Sequence, residues 1–447
     1  MSRLFGTDGV RGKANVDLTP ELAYRLGRAA ALYFCHDDKS APTILIGRDT
    51  RISGQMFESA LTSGICSAGG HVALTGIIPT PGVAYLTRKM NAQAGIVISA
   101  SHNPFYDNGI KFFGGDGYKL PDAVEDEIES IVHRLESDPD FERATDERIG
   151  TLEFRRDLLN EYIEFVLSTT DVRFDGMKIV LDCANGAAYE AMPTILKRLG
   201  AQLILIGVTP DGVNINDRCG STHIEQLQKI VVEEGAAIGI AHDGDADRCL
   251  CVDANGNIID GDHILIMCAL EMMRENRLPN ATVVTTVMAN IGFRQAMEQL
   301  GGRYEITKVG DRYVLENMRK NGYKLGGEQS GHIIFTDYST TGDGLITALQ
   351  VLSTMVRSGK TSTELNALMT TYPQVLLNVR VKNKDVCRNE HVIEAIRAGE
   401  DELGVNGRIL VRASGTEPLI RVMAEGPERE QLETICRRIV SVVESMQ

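Results

Sequence analysis

The stretch from Ile96 to Lys111 reads IVISASHNPFYDNGIK. Its first residues are apolar and strand-forming, and the following ones are small or polar and include Pro104, which predicts a buried strand that ends in a loop. This loop carries the hydroxyl of Ser101. A second short strand is predicted where apolar residues return, from Ile110 onward.

The strand and its loop end a unit that occurs three times in the chain. Each copy contains a strand, a helix, a second strand that follows a glycine, and a third strand that leads into a polar loop. The first and second strands of the copies begin near Thr43 and Gly70, near Lys178 and Gly200, and near Thr282 and Gly302. The polar loops are Ser99–Asn103, Asp243–Arg248 and Gly326–His332. Strand–helix–strand units favour parallel pairing, and ligands of such sheets bind at the carboxyl ends of the strands, so we expect the three loops to face one cleft.

After the third copy the pattern changes at Pro373, and an α+β module is predicted. Its strands are expected near Val375–Val381, Arg408–Arg412 and Leu419–Ala424. The last helix should bury one face, made of Leu432, Ile435, Ile439, Val442 and Met446. Two further helices are predicted, one that begins at Pro20 with Thr19 as its cap, and one over Phe154–Val166 between the first two copies.

The predicted fold class is therefore α/β, with three similar α/β domains of mixed, mainly parallel sheets and a smaller α+β C-terminal domain around a central cleft. We expect the domain boundaries at 1–152, 153–254, 255–368 and 369–447.

Composition narrows the function classes. The chain has 447 residues and a formal net charge of −15, which argues against a nucleic-acid partner. There is no apolar run long enough to span a membrane and no signal-peptide core at the start, so a cytoplasmic protein is expected. The nine cysteines form no CxxC pair, and we expect all of them to be reduced.

The second polar loop carries Asp243, Asp245 and Asp247 in alternation with small residues. Three carboxylates this close repel one another, and a hard cation such as Mg²⁺ would relieve that repulsion. An acidic surface turn is the plain alternative. The sequence argues against an EF-hand, because its sixth position would be Arg248 where glycine is needed and its twelfth Ala254 where glutamate is needed.

Two more segments carry binding chemistry. The third polar loop contains Glu328, Ser330 and His332, which suit hydrogen bonding to sugar hydroxyls, although a simple turn would also explain the glycines around them. The C-terminal module contains two arginines and two hydroxyls around one glycine, which suits a phosphate, although a β-turn with surface arginines fits as well. These residues are Arg412, Ser414, Gly415, Thr416 and Arg421.

Taken together, these motifs resemble the α-D-phosphohexomutases. Ser101-His102-Asn103-Pro104, followed by Asn108-Gly109-x-Lys111, is similar to the phosphoserine loop of that family, and the three other motifs occur in family order. The resemblance implies a phosphoserine at Ser101. It also implies one Mg²⁺ in each active site, held by Asp243, Asp245, Asp247 and an oxygen on Ser101.

The resemblance also implies roles for the other site residues. Glu328 and Ser330 would grip sugar hydroxyls, and His332 would lie beside the reacting end. The group formed by Arg412, Ser414, Gly415, Thr416 and Arg421 would clamp the phosphate that is not transferred. Arg11, His102, Lys111 and Arg248 complete the expected catalytic set, with Lys111 as the candidate for moving the hydroxyl proton. A lysine that acts as a base needs a lowered pKa, which neighbouring cations can produce.

One position departs from the family pattern. The family has glycine between the last two aspartates of the metal loop, and this chain has Ala246. If the position requires a positive φ, alanine costs about 1 kcal/mol there.

The opening residues Phe5–Gly12 and Gln329 favour the branch of the family that acts on glucosamine phosphates. We expect interconversion of glucosamine 6-phosphate and glucosamine 1-phosphate through glucosamine 1,6-bisphosphate, as a step toward UDP-N-acetylglucosamine. The partner is then a small-molecule hexosamine phosphate. The alternatives are a phosphomannomutase/phosphoglucomutase and a non-catalytic phosphosugar sensor. A homodimer is compatible with the sequence, which does not decide the oligomeric state.

Overall fold

The computed structural model of the protein describes residues 3–6, 8–35, 41–414 and 418–446. The chain divides into two compact units. One unit contains Met1–Val287 with Glu305–Asn366, and the other contains Met288–Tyr304 with Ala367–Gln447. This division is coarser than the four domains predicted from the sequence, and the boundaries of those domains stay predictions.

The first copy of the repeat forms a sheet in the order β1-β5-β4-β2-β3-β6. Its elements are β1 (Val10–Lys13), α1 (Pro20–Phe34), β2 (Thr43–Arg48), α2 (Gly54–Ser67), β3 (His71–Ile77), α3 (Thr80–Lys89), β4 (Ala94–Ile98), β5 (Asp107–Gly114), α4 (Asp122–Ser137) and β6 (Leu152–Phe154). Strands β4, β2, β3 and β6 are parallel, and β5 runs antiparallel to both β4 and β1. The apolar residues of β2 and β4 are fully buried, as a strand covered on both faces requires.

The second copy repeats this plan in the order β11-β10-β9-β7-β8. Its elements are α5 (Leu158–Leu167), β7 (Lys178–Asp182), α6 (Ala191–Arg198), β8 (Gln202–Ile206), α7 (Glu225–Glu234), β9 (Ile238–His242), β10 (Cys249–Asp253) and β11 (Ile258–Ile259). Strand β7 is parallel to β8 and β9, and β10 is antiparallel to β9. The metal loop is therefore the connection between β9 and β10.

The third copy has the order β13-β12-β14-β15. Its elements are α8 (Gly261–Arg274), β12 (Thr282–Thr286), α9 (Ile291–Gln299), β13 (Arg303–Thr307), α10 (Asp311–Asn321), β14 (Leu325–Gly327), β15 (Ile333–Phe335), α11 (Gly344–Ser358) and α12 (Ser362–Asn366). Here β12 and β14 are parallel and β15 is antiparallel to β14. The third polar loop connects β14 to β15, so in all three copies the polar loop joins the same pair of strands.

The C-terminal module forms an antiparallel sheet in the order β16-β18-β17. Its elements are β16 (Gln374–Arg380), α13 (Glu390–Leu403), β17 (Arg408–Ala413), β18 (Leu419–Glu425) and α14 (Arg429–Ser445). The predicted fold class, three similar α/β domains and a smaller C-terminal α+β domain, is confirmed.

The structure confirms the predicted start of one helix and corrects the predicted start of another. Helix α1 begins at Pro20, and the Thr19 hydroxyl accepts a hydrogen bond from the Leu22 amide at 3.3 Å, as predicted. The helix predicted over Phe154–Val166 begins only at Leu158, so that prediction was wrong at its start. Residues 152–154 instead pair with β3 and extend the sheet edge, because strand hydrogen bonds satisfy their backbone there.

The final helix α14 buries Leu432, Ile435 and Ile439, as predicted. In its last turn the buried residue is Val443 rather than Val442, because the position four residues after Ile439 continues the buried face. Met446 lies beyond the helix end and is 39% exposed, which corrects its place in the core.

The structure also bears on the predictions of reduced cysteines and of no membrane-spanning segment. All nine cysteines are free thiols, and Cys249 and Cys251 are buried in β10. Among the helices that the structure describes, none is both long and apolar enough to cross a bilayer.

Candidate active site

Ser101 lies at the carboxyl end of β4 and is only 2% exposed. Its φ of 51° is left-handed, which is rare for a residue other than glycine. The Ser101 amide donates a hydrogen bond to the Ser99 hydroxyl at 3.0 Å. The Ser101 hydroxyl donates to Oδ2 of Asp243 at 2.6 Å. The loops of the first and second copies therefore meet at this hydroxyl.

The buried guanidinium of Arg51 holds the loop that contains Ser101 through hydrogen bonds to its backbone. Arg51 donates to the carbonyl oxygens of Ser101, Asn103 and Pro104 at 2.9, 2.9 and 2.6 Å. It also forms an ion pair with Asp49 at 2.9 Å, and both side chains are 0% exposed. The Ser101 carbonyl accepts another hydrogen bond, from the Asn216 amide group at 2.9 Å. This set of contacts supports the left-handed backbone that directs the hydroxyl toward Asp243.

The three aspartates of the metal loop converge as the sequence predicts. One carboxylate oxygen from each of Asp243, Asp245 and Asp247 lies within 4.8 Å of the others, and all three side chains are buried. The Oδ1 atoms of Asp245 and Asp247 are buried without a hydrogen-bond partner. Buried carboxylate oxygens without donors are costly in a protein interior, and a divalent cation is their natural ligand. The residues therefore fit a hard metal ion.

The electrostatics of the loop point the same way. Burial, together with the charges of Asp247 and Asp245, raises the pKa of Asp243 well above its ordinary value. Burial alone would raise the pKa of Asp247 as well, but His332, Lys111 and Arg248 outweigh it and hold that pKa low. A cation bound among the carboxylates would relieve the repulsion that raises the pKa of Asp243.

Two small residues give the metal loop its shape. Gly244 packs against the Ser101 loop so closely that a Cβ there would lie 2.4 Å from the Ser101 carbonyl oxygen. Ala246 has a φ of 57°, so the condition under which alanine costs about 1 kcal/mol at this position is met. Its amide still donates to the Asp243 carbonyl at 3.1 Å, and its carbonyl accepts from the Gly344 amide at 3.0 Å.

Lys111 lies beside this cluster and is 2% exposed. Its ammonium is 2.7 Å from Oδ2 of Asp245 and 3.3 Å from Oδ2 of Asp8, which also pairs with Arg11. Burial alone would lower the pKa of Lys111, but these carboxylates outweigh it and raise the pKa above its ordinary value. The lowered pKa that a lysine base needs is therefore absent in this arrangement, because the neighbours of Lys111 are mainly carboxylates.

The remaining predicted catalytic residues surround the same point. His102 Nδ1 is 3.2 Å from the Ser101 hydroxyl. Burial and the charges of Arg248 and Arg11 lower the pKa of His102 to about 4, so its imidazole is neutral near pH 7. The Arg248 amide donates to Oδ1 of Asp243 at 3.2 Å, and its guanidinium lies 3.9 Å from Asp247.

The third polar loop reaches this cluster through His332. Its Nδ1 lies 3.5 Å from Asp247 and its Nε2 lies 3.4 Å from Asp311. Burial alone would lower the pKa of His332, but these two carboxylates raise it to about 8. In the same loop Glu328 accepts a hydrogen bond from the Gly310 amide at 3.0 Å, and the Ser330 hydroxyl is buried without a partner.

The predicted phosphate clamp lies in the second compact unit and is described by itself. Arg412 on β17 and Arg421 on β18 are direct cross-strand partners. Burial and the charge of Arg421 lower the pKa of Arg412. The Ser414 amide donates to the Leu419 carbonyl at 2.9 Å. Gly415 and Thr416 lie outside the described residues.

The chain is similar to known proteins over its whole length. Models of the phosphoglucomutase/phosphomannomutase family match in chain order: alpha/beta/alpha domain I at residues 2–139, domain II at 160–256, domain III at 260–372 and the C-terminal domain at 376–442. The chain belongs to the phosphoglucomutase/phosphomannomutase family. Two curated relatives, the phosphoglucosamine mutases of Brevibacillus brevis and Pelotomaculum thermopropionicum, are each 53% identical to it. The alignments cover 99% of this chain and 99% of the first relative, and 100% of this chain and 100% of the second.

Solved structures of other proteins share the fold. A family member from Burkholderia thailandensis is 26% identical with a TM-score of 0.81, covering 99% of this chain and 97% of that one. The N-acetylphosphoglucosamine mutase of Aspergillus fumigatus, solved with GlcNAc-6P and magnesium, is 18% identical with a TM-score of 0.71, covering 99% and 95%. This second likeness concerns the fold alone.

Several residues that contact this site are not predicted from the sequence. Asp8 lies in the glycine-rich opening of the chain, where no local pattern indicates its ion pairs with Lys111 and Lys119. Asp49 and Arg51 follow β2 as a polar run at a strand's carboxyl end, a signal that could have been used. Lys119 and Asp311 are far apart in sequence, and their 2.7 Å contact has no local pattern that would predict it.

Proposed function

We propose that this protein interconverts glucosamine 6-phosphate and glucosamine 1-phosphate, with Ser101 as the carrier of the phosphoryl group. The observation that carries the proposal is the Ser101 hydroxyl, held in a left-handed loop 2.6 Å from Asp243 and beside an acidic triad that fits a divalent cation. The relatives named phosphoglucosamine mutase support the choice of substrate, because they are similar over the full chain.

The proposed reaction has two phosphoryl transfers. In the first, the bond between Ser101 Oγ and phosphorus breaks, and the free hydroxyl oxygen of the sugar phosphate forms a new bond to that phosphorus. The hydroxyl proton passes to a basic group and Ser101 Oγ takes up a proton, so the products are glucosamine 1,6-bisphosphate and the free serine hydroxyl. In the second, the bond between the other phosphorus and its sugar oxygen breaks, and Ser101 Oγ gives up its proton and forms a bond to that phosphorus. The sugar oxygen takes up a proton, and the isomeric monophosphate is released. Serine is thus phosphorylated again at the end of each turnover.

Charged side chains supply most of the proposed catalysis. Phosphoryl transfer is accelerated mainly by positioning and by cations that neutralise charge on the moving group. Arg11, Lys111 and Arg248 would provide such cations around Ser101. His102, which is neutral near pH 7, would hydrogen-bond the serine oxygen, and His332 would act beside the reacting end of the sugar.

The metal proposal follows from the donor set. Asp243, Asp245 and Asp247, together with an oxygen on Ser101, would hold Mg²⁺. When bound, this ion would withdraw charge from the transferred phosphoryl group.

Substrate recognition is proposed for two groups of residues. Glu328 and Ser330 would bind sugar hydroxyls, and the buried Ser330 hydroxyl without a partner supports this role. The group Arg412, Ser414, Gly415, Thr416 and Arg421 would bind the phosphate that is not transferred, because two neighbouring guanidinium groups suit a phosphate dianion.

A coupled assay with glucosamine, glucose and mannose phosphates tests the proposal. We expect the highest kcat/KM with glucosamine 6-phosphate and no turnover by Ser101→Ala. Ser59→Ala is the matched control, because Ser59 lies exposed on α2 and should have full activity. Faster turnover of mannose or glucose phosphates would instead indicate a phosphomannomutase/phosphoglucomutase. Binding without turnover of any of them would indicate a phosphosugar sensor.

A further inference from the structure

A series of side-chain contacts in which carboxylates alternate with Lys111, Lys119 and His332 connects Asp245 to Asp247. We call this set the charge ring, and it consists of Asp245, Lys111, Asp8, Lys119, Asp311, His332 and Asp247. Consecutive members approach to 2.7, 3.3, 2.6, 2.7, 3.4 and 3.5 Å. The two ends meet in the acidic triad, where carboxylate oxygens of Asp245 and Asp247 lie within 4.8 Å of each other.

Lys119 joins the two halves of the charge ring. Its ammonium lies 2.6 Å from Oδ1 of Asp8 and 2.7 Å from Oδ2 of Asp311. The two carboxylate oxygens can therefore be no more than about 5.3 Å apart, the sum of these two distances. Their side chains are 23% and 18% exposed, so water screens their charges only partly. Without the ammonium the two carboxylates would repel each other.

The segment around Lys119 makes further contacts with the third copy. The Gly117 carbonyl accepts a hydrogen bond from the Thr340 hydroxyl at 2.5 Å. Asp122 forms an ion pair with Arg312 at 2.5 Å, and these two side chains are more exposed than those of Lys119 and Asp311. The Arg319 guanidinium also lies over the Tyr118 ring at 4.0 Å from its centroid. Residues 117–122 of the first copy thus contact the third copy at four points, and Lys119 is the point that connects to the charge ring.

The two carboxylates that Lys119 bridges each lie next to another predicted catalytic side chain of the site. Asp8 pairs with Lys111 and with Arg11 through its Oδ2 atom. Asp311 faces His332 through the same Oδ2 atom that pairs with Lys119. One ammonium therefore fixes the acidic neighbours of predicted catalytic residues from both the first and the third copy.

We propose that Lys119 is a positioning residue for the phosphoryl transfer. It holds Asp8 against Lys111 and Arg11, and at the same time it holds Asp311 against His332, so that side chains of two copies are positioned together at the site. The inference rests on the proposed function. It assigns to Lys119 an effect on the rate of the reaction that acts through other side chains rather than through contact with the sugar phosphate.

The first test uses Lys119→Met and Lys119→Arg in the full-length protein with Mg²⁺ present. We expect Lys119→Met to lower kcat at least tenfold and to change KM for glucosamine 6-phosphate less than threefold. Lys119→Arg should restore kcat to within about threefold of the wild type, because a guanidinium can also bridge two carboxylates. Lys89→Met is the matched control, since Lys89 is 44% exposed and contacts Glu161 and the Tyr85 ring at the surface. A wild-type kcat in Lys119→Met, or an arginine variant as slow as the methionine variant, would overturn the proposal.

A second test asks whether the effect of Lys119 depends on its two carboxylates. In the wild type, Lys119→Met should lower the midpoint of thermal unfolding, because it leaves Asp8 and Asp311 facing each other. In the Asp8→Asn/Asp311→Asn background the same substitution should leave the midpoint unchanged or raise it, because it removes an ammonium that has lost both partners. Equal losses in both backgrounds would refute the bridge. This thermal readout needs no substrate, so it separates a failure of the bridge from a failure of the proposed function, which would show as an inactive wild type.

Discussion

Replacing Arg51 by methionine should destabilise the protein strongly, because Arg51 is half of a buried ion pair. Its guanidinium lies 2.9 Å from Oδ2 of Asp49, both side chains are 0% exposed, and three loop carbonyls accept its remaining hydrogen bonds. Removing one partner of such a pair typically costs about 3–5 kcal/mol, since the other charge is left buried and unpaired. At roughly 2–4 °C per kcal/mol, the unfolding midpoint should fall by about 6–20 °C.

Differential scanning calorimetry measures this shift, and Arg173→Met is the matched control. Arg173 pairs with Asp175 at 2.8 Å, but these side chains are 58% and 67% exposed, and exposed pairs contribute only about 0–1 kcal/mol. We also expect Arg51→Met to lower kcat, because the Ser101 loop loses three of its anchors. A midpoint shift no larger than that of Arg173→Met would refute the reasoning.

Three further predictions concern the metal, the phosphate and the pH dependence of stability. Asp245→Asn should raise the Mg²⁺ concentration needed for half-maximal activity and lower kcat, because one carboxylate ligand is lost; an unchanged metal titration would contradict the site. Arg421→Ala should weaken binding of both glucosamine phosphates by about tenfold to hundredfold in calorimetric titrations, at roughly 1.5–3 kcal/mol per charge-assisted bond, and a loss for one isomer only would count against a shared clamp. Burial raises the pKa of Asp343 to about 6, so the native protein keeps a proton that the unfolded chain loses near pH 4, and stability should fall as pH rises through this window. Asp343→Asn should reduce that fall in thermal scans, whereas Asp140→Asn, whose side chain is 86% exposed, should leave it intact.

The parts of the site that the sequence predicts consist of residues that lie close together in the chain. Ser101 and the three aspartates each follow a buried strand, and the repeat indicates that these strand ends are equivalent. The repeat therefore predicts that these loops face one cleft, and the 2.6 Å contact between Ser101 and Asp243 agrees with that prediction. The positive φ of Ala246 is likewise indicated by a short stretch, because the family motif has glycine at this position.

The parts that the sequence does not predict depend on contacts between distant residues. The sequence does not indicate the direction of the Lys111 pKa shift, which is upward because Asp245 and Asp8, on separate loops, lie beside the ammonium. Lys119 and Asp311 are 192 positions apart, and nothing near either residue indicates the other. The error in the predicted start of α5 is only a few residues and has a local cause. Residues 152–154 pair with β3 as a strand, and the helix begins after them, at Leu158.

The central claim is that Ser101 carries the phosphoryl group during turnover. Glucosamine 6-phosphate labelled with radioactive phosphate should be mixed with the phosphorylated protein, and the reaction should be quenched before equilibrium. We predict that the label appears on the peptide that contains Ser101, and that Ser101→Ala acquires no label and has no mutase activity. An active wild-type protein whose Ser101 stays unlabelled, or an active Ser101→Ala variant, would contradict the claim.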